Sequence, residues 1–252
     1  MPRAFHFVDG RPGGWADSPP VTVADLDAHA SAIAVRLAQA GGMRLLVADL
    51  GSPRDVLSWA IVNGGQRIAA TVVWREVRVA ELGSTVEAAT LMRDTLASVS
   101  APAAVGLLTA RDVRRYERER VVRDGVDAEC LATVGLGNFL AAGDPTTALS
   151  TPVGTINLLC RISVGLTEEA LVEACAVAVE ARTAAVLTAR LPSPVTGRPA
   201  TGTGTDCIVV AAPVEGRREQ FAGKHTACGS AIGAATFGAV SRGVARWLEE
   251  NR

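Results

Sequence analysis

The run Ala200-Thr201-Gly202-Thr203-Gly204-Thr205-Asp206 stands directly before the apolar segment Cys207 to Ala212. Alternating glycines let a backbone take positive φ and approach a ligand closely, while three hydroxyls and a carboxylate offer donors and acceptors at the mouth of a strand. A site loop is expected there, because a soluble linker needs neither strict alternation nor a carboxylate abutting an apolar strand. A second group is Phe221-Ala222-Gly223-Lys224-His225-Thr226. If the last helix begins near Thr226 to Gly229, His225 lies at the positive end of its dipole, a setting that favours the neutral imidazole a general base needs. A surface histidine capping the helix is the plainer reading. Lys224 is the one lysine among 25 basic residues, which invites a role for a compact, tunable amine; a compositional accident accounts for it equally well.

Other polar residues are more ambiguous. Gly154-Thr155-Ile156-Asn157 opens an apolar run with Thr155 and Asn157 on the face opposite Ile156. Thr155, Thr201, Thr203 and Thr205 are all conceivable nucleophiles, yet none has a base beside it in sequence. Asn63-Gly64-Gly65 follows an apolar run, where a hairpin turn is at least as good a reading as a ligand contact. Glu180 interrupts an Ala- and Val-rich helix pattern, as a solvated charge or as a catalytic carboxylate. Gly-x-Ser-x-Gly, paired cysteines at metal spacing, His-Glu-x-x-His and phosphate-binding glycine motifs are all missing from the sequence. With three histidines in all, no metal centre and no resident cofactor are expected.

The elements that must position these groups follow from periodicity. Short apolar runs at Ile33 to Leu37, Arg44 to Leu50, Val56 to Val62 and Ile68 to Val73, separated by Gly41-Gly42 and Gly64-Gly65, predict a strand-rich first third. Asp25 to Gln39 also fits a helix. Residues 1–22, rich in Gly and Pro, predict a short edge strand at Phe5 to Val8 and a loop, leaving 23–252 as one domain. A helix is predicted over Ser84 to Ala97, and buried strands over Ala104 to Thr109, Glu129 to Leu136, Gly154 to Val164 and Cys207 to Ala212. Thr167 should cap a long helix reaching about Ala189, with Glu168 and Glu169 at its positive end. The last helix, Gly229 to Glu250, carries Ile232, Phe237, Val240, Val244, Trp247 and Leu248 on its buried side. The order implies an α+β fold: a single layered domain in which a mixed or antiparallel sheet packs with helices.

Composition excludes several classes. The chain has 252 residues, 48% apolar and 20% charged, with a net charge of −1, which suits a well-buried core and gives no footprint for nucleic acid. The dense basic stretch Arg111 to Arg123 is broken by Asp112, Glu117 and Glu119. No apolar run approaches a membrane span and the N-terminus carries no signal-peptide pattern, so a cytoplasmic protein without membrane or nucleic-acid partners is expected. Five widely spaced cysteines, Cys130, Cys160, Cys175, Cys207 and Cys228, read as reduced core thiols. Self-association is left open.

Taken in order, the segments resemble the adenosylcobinamide amidohydrolase family. The resemblance rests on Val56 to Gly65, Leu108 to Val113, Ala132 to Asn138 with Gly143-Asp144-Pro145, Gly154 to Asn157, Glu180 to Ala185, Ala200 to Asp206, and Gly223-Lys224-His225-Thr226 with Gly229. It implies hydrolysis of the amide joining a corrin propionyl side chain to aminopropanol, yielding adenosylcobyric acid in corrinoid salvage. Such chemistry needs an activated water or nucleophile, a proton donor for the amine, and donors for a tetrahedral oxyanion. His225 or Asp206 would serve as base, Lys224 or His225 as acid, and Glu180 as a further catalytic carboxylate. We expect His225 to be the principal acid/base group, oriented by Asp206 in one cleft. Asn63, Asn138, Thr155, Asn157, Thr201, Thr203 and Thr205 are expected to contact the small-molecule substrate. Two departures stand out: Ser230 where family members usually have a carboxylate, and Trp59 where they have a serine. They raise two alternatives, a relative redirected to another small amide or lactam, and a non-catalytic corrinoid-binding module.

Overall fold

The structure is a computed structural model, and it describes residues 33–40, 42–78, 81, 85–146 and 154–252. These belong to one compact unit, Ser31–Arg252. The strand and loop expected over residues 1–22, and His6 and His29 with them, lie outside the described residues.

In chain order the elements are β1 Ala34–Ala40, β2 Met43–Ser58, β3 Gly65–Glu76, α1 Thr85–Ser98, β4 Val105–Thr109, β5 Glu117–Arg123, β6 Val126–Val134, β7 Phe139–Leu140, β8 Ile156–Ile162, β9 Gly165–Leu166, α2 Glu168–Leu187, β10 Gly202–Thr203, β11 Cys207–Pro213, β12 Arg218–Glu219 and α3 Ala227–Glu250. One large mixed sheet runs β4-β3-β2-β11-β8-β6-β5, with β1 also on β2. Strands β8 and β11 are parallel neighbours, Cys207 opposite Asn157. The two strands expected to share a sheet therefore do, and the α+β expectation holds.

Two sequence expectations are corrected. Arg44 to Leu50 and the start of the Val56 run are one strand, β2, because β3 pairs with both halves across an irregularity between Asp49 and Arg54. Gly51, at φ 75, marks a bulge rather than a turn, which lets one strand hold β1 along its first half and β11 along its second. The charged stretch after Arg115, to which the sequence reading gives no element, is β5, paired to β6; Glu117 is buried and meets Arg242 and Arg246 of α3. The helix alternative for Asp25 to Gln39 gives way to β1 at its described end.

The helices pack on one face of the sheet. Thr167 and Thr226 cap α2 and α3, each accepting from an amide three residues on. Leu171, Ala174 and Ala178 of α2 and Ile232, Ala235 and Val240 of α3 join Leu158, Cys160, Ile208 and Val210 of the sheet in the largest apolar cluster. Truncating one of its fully buried Ile or Leu side chains to Ala costs about 2–5 kcal/mol. The other sheet face buries Leu131, Leu159 and Val209 with Trp74, Val105 and Ile33, while α1 sets Met92 and Leu96 on Val62 and Val73.

Candidate active site

The Thr-Gly loop is latched by its own carboxylate. Asp206 accepts from the Ile156 amide (2.9 Å), the Thr203 amide (2.9 Å) and the Thr203 hydroxyl, and pairs with Arg182 of α2 at 2.6 Å. Its side chain is 7% exposed. Arg182 also donates to the Thr201 carbonyl. Only glycine fits at 202, since a Cβ there would strike both the Arg182 guanidinium and the Asp206 carboxylate. The short strand β10 pairs with β7, and Thr201 Oγ1 accepts from the Ala142 amide. The loop is thus fixed between α2, β7 and the start of β8.

Threonines knit the same loop to β8. Thr155 donates to the Thr205 carbonyl at 2.7 Å, and Thr205 to the Gly154 carbonyl at 3.1 Å. Asn157, 1% exposed, donates to the Leu108 carbonyl at 2.7 Å, with its Oδ1 3.3 Å from Thr155 Oγ1. Gly154 lies so close to the backbone of Gly135 and Gly137 that a Cβ would collide with both. Asn138 borders Gly154 and Gly204; its Oδ1 is buried without a partner, and no hydrogen bond joins its side chain to another described residue. Trp59, half exposed, donates from Nε1 to the Asp206 carbonyl at 2.6 Å and forms the rim.

The second group lies elsewhere on α2. Lys224 Nζ pairs with Glu180 at 2.5 Å in solvent. His225, beside it, is exposed and makes no hydrogen bond to a described residue; it is the one histidine among the described residues. Glu173 accepts from the Ala222 amide at 2.6 Å and holds this turn against α2. At 100° per residue, Glu173, Val177 and Glu180 share one flank of α2, whereas Cys175 and Arg182 lie about 180° around it. Contacts agree: Val177 meets Gly233 of α3, while Cys175 reaches the Leu57 carbonyl of β2.

The expected pairing of Asp206 with His225 is therefore not formed. Asp206, Thr155, Asn157, Thr201, Thr203, Thr205 and Asn138 gather at the β8/β11 mouth; Lys224, His225 and Glu180 gather on the opposite flank of α2. Asn63 joins neither. It takes φ 59 in the turn between β2 and β3 and spends its amide on the Pro102 and Ala104 carbonyls, so the hairpin reading is the right one.

Sequence reasoning missed Arg182, although it stands two residues after Glu180, because nothing local says which flank of a helix will meet a loop twenty residues on. It also missed Ser58, whose Oγ accepts from the Ala60 amide and lies 3.7 Å from Cys207 Sγ beneath Trp59. A thiol nucleophile is disfavoured throughout. Burial pushes Cys207 up to about 11 and Cys160 and Cys175 to about 12, and raises Cys130 and Cys228 as well. Asp144 makes a second latch: Ser193, Thr196 and Arg198 and the Ala141 amide all donate to it, and the Ser193 and Thr196 hydrogen bonds hold its carboxyl well below the usual range.

The sequence profile of the adenosylcobinamide amidohydrolase (CbiZ) family matches residues 32–252. The chain belongs to that family. The match takes in both flanks of α2 and every described site residue named above. Among curated proteins no match is found. Solved structures with related chain paths include the PH0078 protein from Pyrococcus horikoshii OT3, with TM-score 0.40 and 11% identity over 82% of this chain and 78% of that one. Another is the L-aminopeptidase D-Ala-esterase/amidase from Ochrobactrum anthropi, described as a variant of the Ntn hydrolase fold, with TM-score 0.38 and 14% identity over 83% and 81%. Among the described residues no helix is long and apolar enough to cross a membrane, and no three His, Cys, Asp or Glu side chains gather as a metal site.

Proposed function

We propose that this CbiZ-family chain hydrolyses the amide between the corrin propionyl side chain and aminopropanol in adenosylcobinamide, releasing adenosylcobyric acid. The family match over 32–252 carries the reading. Division of the polar groups supports it in two ways. Asp206 has spent its carboxylate on the fold, and Asn157 and Thr155 are tied to neighbouring carbonyls, which leaves Asn138 and the glycine-rich backbone beside it to hold a part of the corrinoid remote from the scissile amide. His225, exposed and unpaired, is the acid/base group: it activates water and returns the proton to the departing amine, with Lys224 beside it at the helix N-terminus. A helix with its side chains is about 10–12 Å across, so only a broad ligand touches both flanks of α2 together. That breadth favours a corrinoid over a small amide.

One observation favours a second reading. The Trp59 indole, half exposed at the rim and bonded to the site loop, occupies a place where family members usually carry serine, and suits a redirected substrate with a flat face. Incubation of the purified protein with adenosylcobinamide, followed by chromatography for adenosylcobyric acid, separates the two. Stoichiometric conversion supports the corrinoid reaction; an unchanged corrinoid beside turnover of a smaller amide supports the second, and spectral binding without turnover of either supports a corrinoid-binding module.

A further inference from the structure

Arg54 lies four residues back along β2 from Ser58 and opposite Pro213, which is six residues along β11, about 20 Å, from Cys207 at the β8/β11 mouth. It faces the same side of the sheet as Val56 and Ser58, since alternate residues of a strand share a face. It is 6% exposed, yet no hydrogen bond or ion pair joins its guanidinium to any described residue, and its Nε is buried without a partner. Of its three nitrogens Nε alone is sealed from solvent, so the outer edge of the fork opens toward the surface.

Its surroundings add positive charge. Arg161, 3% exposed, stands opposite Ala211, which also stands opposite Val56; the small methyl between them leaves the two arginines on one patch. Burial, and then the nearby Arg161 charge, lower the pKa of Arg54. The neighbouring carboxylates are engaged elsewhere. Asp127 pairs with Arg161 at 3.0 Å and with Arg120 at 2.8 Å; Glu129 pairs with Arg118 and accepts from the Ile33 amide at 2.9 Å. Among the described residues, the four arginines Arg54, Arg118, Arg120 and Arg161 thus face two carboxylates, Asp127 and Glu129. A buried charge without a counter-charge is strongly unfavourable, and a planar guanidinium matches carboxylate and phosphate oxygens two at a time.

We infer that Arg54, beside Arg161, forms an anion site that takes a small oxyanion, a phosphate or carboxylate group, apart from the site of amide hydrolysis. The test is thermal melting of the full chain at constant ionic strength, with sodium chloride replaced stepwise by inorganic phosphate in one arm and by acetate in another. Wild type should gain a saturable rise in Tm, about 5–10 °C at a concentration ~100-fold above Kd, and the arm with the lower midpoint identifies the favoured source. Arg54→Met should melt at or above wild type without oxyanion and lose the rise. Arg54→Gln serves the same comparison if the Met variant does not fold, and calorimetric titration should find one phosphate or acetate site in wild type and none in either variant. No saturable rise in wild type, or an equal rise in Arg54→Met or Arg54→Gln, overturns the inference.

Discussion

The two flanks of α2 carry polar groups of the same kinds in opposite states. On one, the Asp206 carboxylate is buried, paired with Arg182 and surrounded by amide and hydroxyl donors. On the other, Lys224 and Glu180 meet in solvent and His225 has no hydrogen-bond partner among the described residues. A group whose capacity is exhausted in the folded state has nothing left for a substrate without breaking structure; a free one has. On the proposed function, the difference gives positioning to Asp206 and proton transfer to His225, although both stand in the motifs that carry the family resemblance.

Breaking the comparison on the catalytic side should give the largest effect. His225→Ala is expected to lower kcat on adenosylcobinamide by about 10²- to 10⁴-fold, with a melting curve like that of wild type, because the imidazole holds nothing in place. On the other flank, Asp206→Asn should act on stability: removing one member of a buried pair costs about 3 kcal/mol, which corresponds to a Tm lowered by roughly 6–12 °C in a chain of this size. Thermal denaturation followed by circular dichroism measures it. Gly154→Ala sharpens the same point without touching a charge. Its methyl would meet the backbone of Gly135 and Gly137, and about 1–3 kcal/mol of overpacking should appear in urea unfolding together with a raised KM, since Asn138 borders the displaced strand. Smallest is Glu180→Gln. An exposed ion pair contributes at most about 1 kcal/mol, so stability should hardly change and kcat should stay within a few-fold of wild type; a drop of 10²-fold would return Glu180 to the catalytic set.

What was legible in the sequence was local. Thr167 and Thr226 announce their helices through a hydroxyl followed by an amphipathic stripe, and Cys207 to Ala212 reads as a strand from apolar residues alone. The site loop was legible for the same reason, through its alternating glycines. What was hidden depends on pairing across the chain. Arg44 to Leu50 and Val56 to Val62 read as two strands until β3 is seen to pair along both, and the mixed charges of Glu117 to Arg123 give no sign of a strand until β6 and α3 supply partners for its acids. The supposed Asp206–His225 pair failed in the same way: nineteen residues of sequence separation say nothing about the helix that lies between the two groups.

The most direct test is the pH profile of kcat on adenosylcobinamide for Asp206→Asn beside wild type, measured well below the melting temperature of both. If Asp206 only latches the loop, the limbs of the two profiles coincide and kcat falls by no more than a few-fold. A loss of about 10³-fold in the folded variant, or the disappearance of one limb, would make Asp206 the proton-transfer group and contradict the division of labour between the two flanks.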